Sequence, residues 1–228
     1  MLGFLTLINS RGDFVYKIPE ELAALGKERI DGYPVEGFVW GSGPENPAIM
    51  LVGEAPGENE IETGIPFTGR AGKELMASLE SVGLVREDVY ITSAVRSRPY
   101  KWGTKKKRNG EVIERKYNRA PTKKEIIAHA PILDTEIRDI HPPLIVTLGN
   151  VGLQRLIGPK AKVTELHGLL IETPILYWDD VNNCFKETDE VYHIFPTFHP
   201  ASVFYNPPVR ELKDEDWRRL KELLGKVE

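Results

Sequence analysis

Two short stretches set residues capable of bond-breaking chemistry beside backbone that can approach a ligand closely. The first is Gly53-Glu54-Ala55-Pro56-Gly57, followed by Gly64-Ile65-Pro66-Phe67-Thr68-Gly69-Arg70-Ala71-Gly72. Its glycines permit close backbone approach, and residues 68–72 open a helical pattern whose N–H groups suit a phosphate. Glu54 is a carboxylate available for proton transfer or for stabilising a cation. The second stretch is Phe198-His199-Pro200-Ala201-Ser202, with Asn206-Pro207-Pro208 soon after. A histidine beside a proline-fixed turn suits a positioned hydrogen-bond donor. Plainer alternatives stand beside both: Glu54 as a turn cap with Phe67 in the core, and His199 as a histidine without a role. The first loop lacks the Gly-Lys-Ser/Thr ending of a P-loop and the spacing of a dinucleotide fingerprint.

These residues need elements to hold them. Four short apolar runs, 48–52, 89–95, 144–148 and 192–198, have the length of strands. The first is continuously apolar and the third nearly so, as strands buried on both faces are. Helical spacing links Ala71, Leu75, Leu79 and Val82, with Gly83 as a stop. It also links Ile126, Ala130, Leu133, Ile137 and Ile140, where Thr122 and Glu125 form a capping box and Pro131 predicts a kink. Asn150 is a candidate cap for a short helix ended by Gly158. Asp214 is a candidate cap for a last helix carrying Trp217, Leu220, Leu224 and Val227. Strands alternating with helices predict an α/β fold with a parallel sheet covered on both faces. Ligands of such sheets bind beyond the carboxyl ends of the strands, so chemistry is expected just after residues 52, 92, 148 and 198. Glu54 and His199 satisfy that expectation.

The chain has 228 residues, 41% hydrophobic and 28% charged, which suits one globular domain. No apolar run approaches the ~18 residues of a membrane helix. The start, residues 2–8, has no basic residue before it and no small-residue cleavage site soon after. A packed terminal segment is therefore expected there, in a cytoplasmic protein. The single cysteine, Cys184, excludes an internal disulfide and a four-thiolate metal centre.

The net charge of −4 hides a strong asymmetry. Residues 96–124 hold twelve basic side chains against Glu111 and Glu114, a local charge of +10 that leaves −14 for the rest. Asn109-Gly110 in the middle is a hairpin turn signal. A basic ribbon with Tyr100, Trp102 and Tyr117 interleaved suits phosphate contacts and base stacking, against the alternative of a solvated loop.

Taken with Val89-Tyr90-Ile91-Thr92, Arg98-Pro99, Asn118-Arg119-Ala120-Pro121 and residues 143–149, the two loops resemble the signature motifs of the family 4 uracil-DNA glycosylases and their superfamily relatives. The resemblance runs from about residue 48 to the C-terminus. It implies a single three-layer α/β/α domain over 1–228 with a central four-stranded parallel sheet. It also makes residues 100–117 an insertion in a short family loop. Glu54 holds the motif position that handles the attacking water, and His199 that of the histidine at the base's carbonyl oxygen; these are the expected catalytic residues. Ala55, Gly57, Phe67 and Ser93 are the expected base-binding residues, with Phe67 stacking on the flipped base. Gly69, Arg70, Gly72 and Asn206, with Lys105, Lys106, Lys107 and Arg108 of the basic segment, are the expected DNA contacts.

Departures from the family pattern are equally specific. Ser93 stands where the family usually has the asparagine that reads the uracil edge, and a hydroxyl cannot make an amide's paired contact. The family's iron–sulfur ligands are replaced by Ser97 and His129, so no cluster, metal or other cofactor is expected. Ile61 replaces the second acid after Glu60, and Tyr205 replaces an arginine before Asn206-Pro207. His129, His141, His167 and His193 show no ligand spacing. The expected activity is a monofunctional DNA glycosylase that excises uracil or a related deaminated base from single- or double-stranded DNA in base excision repair. A monomer without membrane attachment is expected. The competing readings are a non-catalytic DNA- or protein-binding module on the same scaffold, and a phosphate- or nucleotide-binding enzyme using the first loop.

Overall fold

The computed structural model describes residues 7–8 and 14–225. A short antiparallel pair, β1 (Leu7–Ile8) and β2 (Phe14–Val15), comes first. Helix α1 (Glu20–Arg29) and strand β3 (Val35–Glu36) lead to the first long buried strand, β4 (Ile49–Gly53). Helices α2 (Glu58–Thr63) and α3 (Arg70–Ser81) precede β5 (Val89–Ser93), a hairpin of β6 (Arg98–Lys106) and β7 (Val112–Asn118), and α4 (Lys123–Ile140). Strand β8 (Ile145–Leu148), helices α5 (Asn150–Ile157) and α6 (Val163–Leu166), strands β9 (Ile171–Asp179) and β10 (Cys184–Thr197) and helix α7 (Val209–Leu224) complete the chain. The expected packed start at 2–8 falls within the described residues only at Leu7–Ile8, and Val227 lies outside them.

The central sheet has the order β5-β4-β8-β10-β9. Its first four strands run parallel and β9 is antiparallel to β10. The sheet thus has five strands rather than the expected four. Strand β9 is a half-exposed edge strand interrupted by Pro174, a residue that sheets tolerate at their edges, so it makes no continuous apolar run. The inner strands are buried on both faces, and successive side chains alternate between two cores. Ile49 and Leu51 pack with Leu75 and Leu79 of α3 and with Trp217 and Leu220 of α7. Met50 and Val52 pack with Leu133 and Ile137 of α4 and Leu156 of α5. Helices on both faces make three layers.

Helix starts follow local chemistry. Thr122 Oγ1 accepts from the Glu125 N–H, and the Glu125 carboxylate accepts from the Thr122 N–H at 2.7 Å, the reciprocal box that its sequence predicts. Pro131 lies inside this helix. Two expected caps are corrected. Gly149, at φ +86°, caps α5, while the Asn150 side chain accepts from the Val163 N–H at 2.8 Å and so ties α5 to α6. Asp214 lies inside α7, which Pro208 caps, because the fixed φ of proline already suits a helix start. Strand β3 joins β6 and β7 in a separate three-stranded sheet.

Candidate active site

A cavity of about 390 Å³ opens at the carboxyl ends of β4, β5 and β10. The expected catalytic and base-binding residues, Glu54, Ala55, Gly57, Phe67, Ser93 and His199, all line it. The strand end after Leu148 contributes differently. Gly149 does not line the cavity; it backs His199, whose Cβ would lie 3.0 Å from any Cβ at that position.

Phe67 is held in an unfavourable backbone conformation, with φ +55°, a region bulky residues seldom occupy. Two glycines make room for it. A Cβ at Gly53 would stand 3.0 Å from the Phe67 ring, and one at Gly72 would stand 1.9 Å from the Phe67 carbonyl oxygen. Glu60 fastens the loop from below. One carboxylate oxygen accepts from the N–H groups of Thr68 (3.0 Å) and Gly69 (3.1 Å), the other from that of Gly57 (3.0 Å). A carboxylate of the chain itself therefore occupies part of the helix start that the sequence offers to a phosphate. Only the N–H groups from Arg70 onward are left for that purpose.

His199 lines the same cavity, its ring centroid 5.9 Å from that of Phe67. Its Nδ1 accepts from the Ala201 N–H at 3.1 Å, which assigns the remaining proton to Nε2. Burial lowers its pKa to about 4, so at neutral pH the ring is uncharged and donates through Nε2. The turn is locked by Ser202, whose N–H and hydroxyl both donate to the His199 carbonyl at 2.9 and 2.6 Å. Glu54 has no side-chain hydrogen-bond partner among the described residues, and burial raises its pKa. The Ser93 hydroxyl donates to the Val95 carbonyl at 2.8 Å.

The expected DNA contacts lie outside the cavity. Gly69 caps α3, and the Arg70 guanidinium sits 4.1 Å from the centre of the Phe204 ring. Asn206 is exposed beyond the 3-10 turn Pro200–Phe204. Lys105, Lys106, Lys107 and Arg108 are exposed near the tip of the β6–β7 hairpin, where Gly110 takes φ +88° in the predicted turn. The structure divides the basic segment in two. Arg96, Arg98, Lys107, Arg115, Lys116 and Arg119 are paired with carboxylates. Lys101, Lys105, Lys106, Arg108, Lys123 and Lys124 form no ion pair among the described residues, and Trp102 in the hairpin is 63% exposed. Sequence reasoning did not single out Arg96, Asn118 and Trp40, which also line the cavity. Asn118 carried a signal, its place in Asn118-Arg119-Ala120-Pro121; Arg96 was hidden in the basic run.

Ser97 and His129, where the resemblance implies cluster ligands, do not fit an iron–sulfur centre. Ser97 is a buried hydroxyl, and the Nδ1 of buried His129 accepts the Arg96 N–H at 2.9 Å. Cys184, the sole thiol, is exposed at the start of β10. Ile18, Ala23 and Ile132 form an apolar cluster between α1 and α4, with Phe38 and Trp40 against it and the Phe38 ring 5.9 Å from that of His129. Among the described residues no three His, Cys, Asp or Glu are grouped to hold a metal ion.

A family model described as the uracil DNA glycosylase superfamily matches residues 40–221. A type-4 uracil-DNA glycosylase of Saccharolobus solfataricus is 37% identical over 81% of this chain and 75% of its own length. One from Sulfurisphaera tokodaii is 34% identical over 92% of this chain and 85% of its own, and one from Archaeoglobus fulgidus 32% over 83% of each. A match that spans the whole cavity-bearing sheet, with relatives this similar over most of their length, shows that the chain belongs to the uracil-DNA glycosylase superfamily.

Proposed function

We propose that this protein is a monofunctional uracil-DNA glycosylase, hydrolysing the N-glycosidic bond of uracil or a related deaminated base in DNA as a step of base excision repair. The observation that carries the reading is the convergence of Phe67, Glu54 and His199 on one cavity at the sheet's carboxyl edge. The names of the relatives, type-4 uracil-DNA glycosylases, support it.

A base inside a duplex is out of reach, so it must leave the stack and enter the cavity. There the Phe67 ring offers it a face. As the C1′–N1 bond breaks, its electron pair goes to the base and positive charge develops on the sugar. The Nε2–H of His199 donates to a carbonyl oxygen of the departing base and stabilises the anion. Glu54, poorly solvated and without a side-chain partner among the described residues, favours the sugar cation and orients water. The water oxygen bonds to C1′, its proton is released through Glu54, and the base anion is protonated on leaving.

We further propose one domain over 1–228 with the hairpin as an insertion, acting as a monomer in the cytoplasm. DNA is held by Arg70, Gly72 and Asn206 at the cavity rim and by the unpaired cations of the hairpin. Among the described residues no helix is long and apolar enough to cross a membrane. Single-turnover assays on oligonucleotides carrying uracil, hypoxanthine or xanthine test the reading. Release of uracil is expected; release of no base would favour a non-catalytic module.

A further inference from the structure

Ser93 cannot do the work of an amide at the base edge. Its single proton is given to the Val95 carbonyl at 2.8 Å, so towards the cavity it offers lone pairs only. A base with two carbonyl oxygens then has His199 for one and needs a second donor for the other.

Arg96 supplies one. It lines the same cavity three residues beyond Ser93 and is 2% exposed. Its backbone is fixed on both sides, the N–H to His129 Nδ1 at 2.9 Å and the carbonyl to the Val39 N–H at 2.8 Å. Among the described residues its guanidinium has one hydrogen-bond partner, the carboxylate of Glu136. That carboxylate is fully buried and also accepts from the hydroxyls of Tyr90 at 2.9 Å and Thr92 at 2.6 Å, so it is a fixed anchor. An arginine carries five N–H donors. Among the described residues, the side-chain nitrogens that are sealed without a partner are His129 Nε2 and Arg155 Nε. Those of Arg96 are not among them, and Arg96 is part of the cavity wall.

We infer that Arg96 is a base-reading residue: its guanidinium donates to the exocyclic oxygen at position 4 of a flipped pyrimidine, while Ser93 accepts the neighbouring ring N–H. The inference rests on the glycosylase reading above and specifies its substrate. Donor, acceptor and donor, from His199, Ser93 and Arg96, complement the edge of an imide, a ring N–H between two carbonyls. Uracil has that edge. Cytosine presents a lone pair to Ser93 and an amino group to Arg96, and is mismatched at both. The same guanidinium stabilises the anion that forms as the base leaves, because its charge spreads onto the exocyclic oxygens.

The test compares single-turnover excision of uracil, 4-thiouracil and 2-thiouracil, since sulfur is a weak acceptor. Removing Arg96 alone would strand a buried carboxylate, so the first variant is Arg96→Met with Glu136→Gln. Arg96→Lys, which keeps the charge beside Glu136 but not the planar fork, is the second and decides the matter if the first does not fold. Wild type is expected to excise uracil faster than 4-thiouracil relative to their non-enzymatic rates. Both variants should lose about 10–100-fold on uracil and little on 4-thiouracil, with the uracil to 2-thiouracil ratio unchanged. Equal loss on all three bases would make Arg96 a structural partner of Glu136, and no loss on uracil would remove its role altogether. Wild type that releases no uracil would instead overturn the glycosylase reading itself.

Discussion

The Phe67 and His199 rings line one cavity with centroids 5.9 Å apart and planes 34° from parallel. One comes from the loop after β4, the other from the end of β10, so the sheet sets their separation. Phe67 is held there against its backbone preference, at φ +55°. Strain of this kind persists where the surroundings over-determine it; here Glu60 fastens the loop, and Gly53 and Gly72 leave the space that the conformation needs. Gly72→Ala should therefore act at a distance. Its Cβ would meet the Phe67 carbonyl at 1.9 Å, which backbone cannot absorb without moving Phe67. A stability loss of about 1–3 kcal/mol is expected, together with slower single-turnover excision. Normal excision by a folded variant would mean that Phe67 does not hold the base.

Glu54→Gln and His199→Ala should each slow excision by about 10–10⁴-fold without unfolding the protein. Among the described residues the Glu54 side chain has no partner and the His199 side chain is bonded only to its own turn, so neither is a keystone of the hydrogen-bond network. Full activity in both variants, measured on uracil-containing DNA, would sink the catalytic assignment.

The protonation of His199 gives a test independent of rate. With Nδ1 accepting from Ala201 and a pKa lowered to about 4, nitrogen NMR at neutral pH should show a neutral ring protonated on Nε2. Burial and the nearby Arg96 charge lower His129 to about 4 as well. Both groups have folded pKa values below their ordinary 6.5, so the unfolded chain binds more protons between those limits. Their contribution to stability is complete above about 6.5 and is lost as pH falls towards about 4. Denaturant titrations should show that acid slope, and His129→Gln should reduce it.

Legibility in the sequence followed burial. Strands β4, β5, β8 and β10 stand out because burial on both faces makes continuous apolar runs, whereas β9 is an edge strand with Pro174 inside it. The capping box at Thr122 is a local pairing that the sequence displays; the start of α7 is less legible, because Asp214 has a cap's side chain while the helix starts after Pro208. The place of Glu54 and His199 on the cavity wall is legible because ligands of such sheets bind beyond the strand ends. That of Arg96 is not, because its partner Glu136 is 40 residues away and only the folded chain distinguishes a buried arginine from a solvated one.

The hairpin cations divide into two classes with opposite consequences. Reversing the charge of Lys105, Lys106 and Arg108, which make no ion pair among the described residues, should weaken DNA binding and flatten its salt dependence. Each lost phosphate contact removes about 0.7–0.9 from the log–log slope. Arg98→Ala should instead destabilise the fold, since Arg98 donates to Glu36 and Asn118 at 2.6 Å each. An unchanged slope after the charge reversals would make the hairpin tip a bystander.

Packing between α1 and α4 lies beside His129, and it predicts where the fold is vulnerable. The helices approach at Gly26, where a Cβ would lie 2.5 Å from Ile132 Cδ1 and 3.2 Å from the His129 ring. Gly26→Val should overpack this contact and lower stability by about 1–3 kcal/mol. Cys184 is exposed and unbonded, so Cys184→Ser and chelator treatment should leave both the melting temperature and uracil excision unchanged. A visible absorbance lost on chelation, or loss of folding in Cys184→Ser, would show that a thiolate-bound centre holds the chain. If Gly26→Val alone is damaging, the α1–α4 contact is what fastens the N-terminal helix to the sheet and keeps Val39 and Trp40 on the cavity wall.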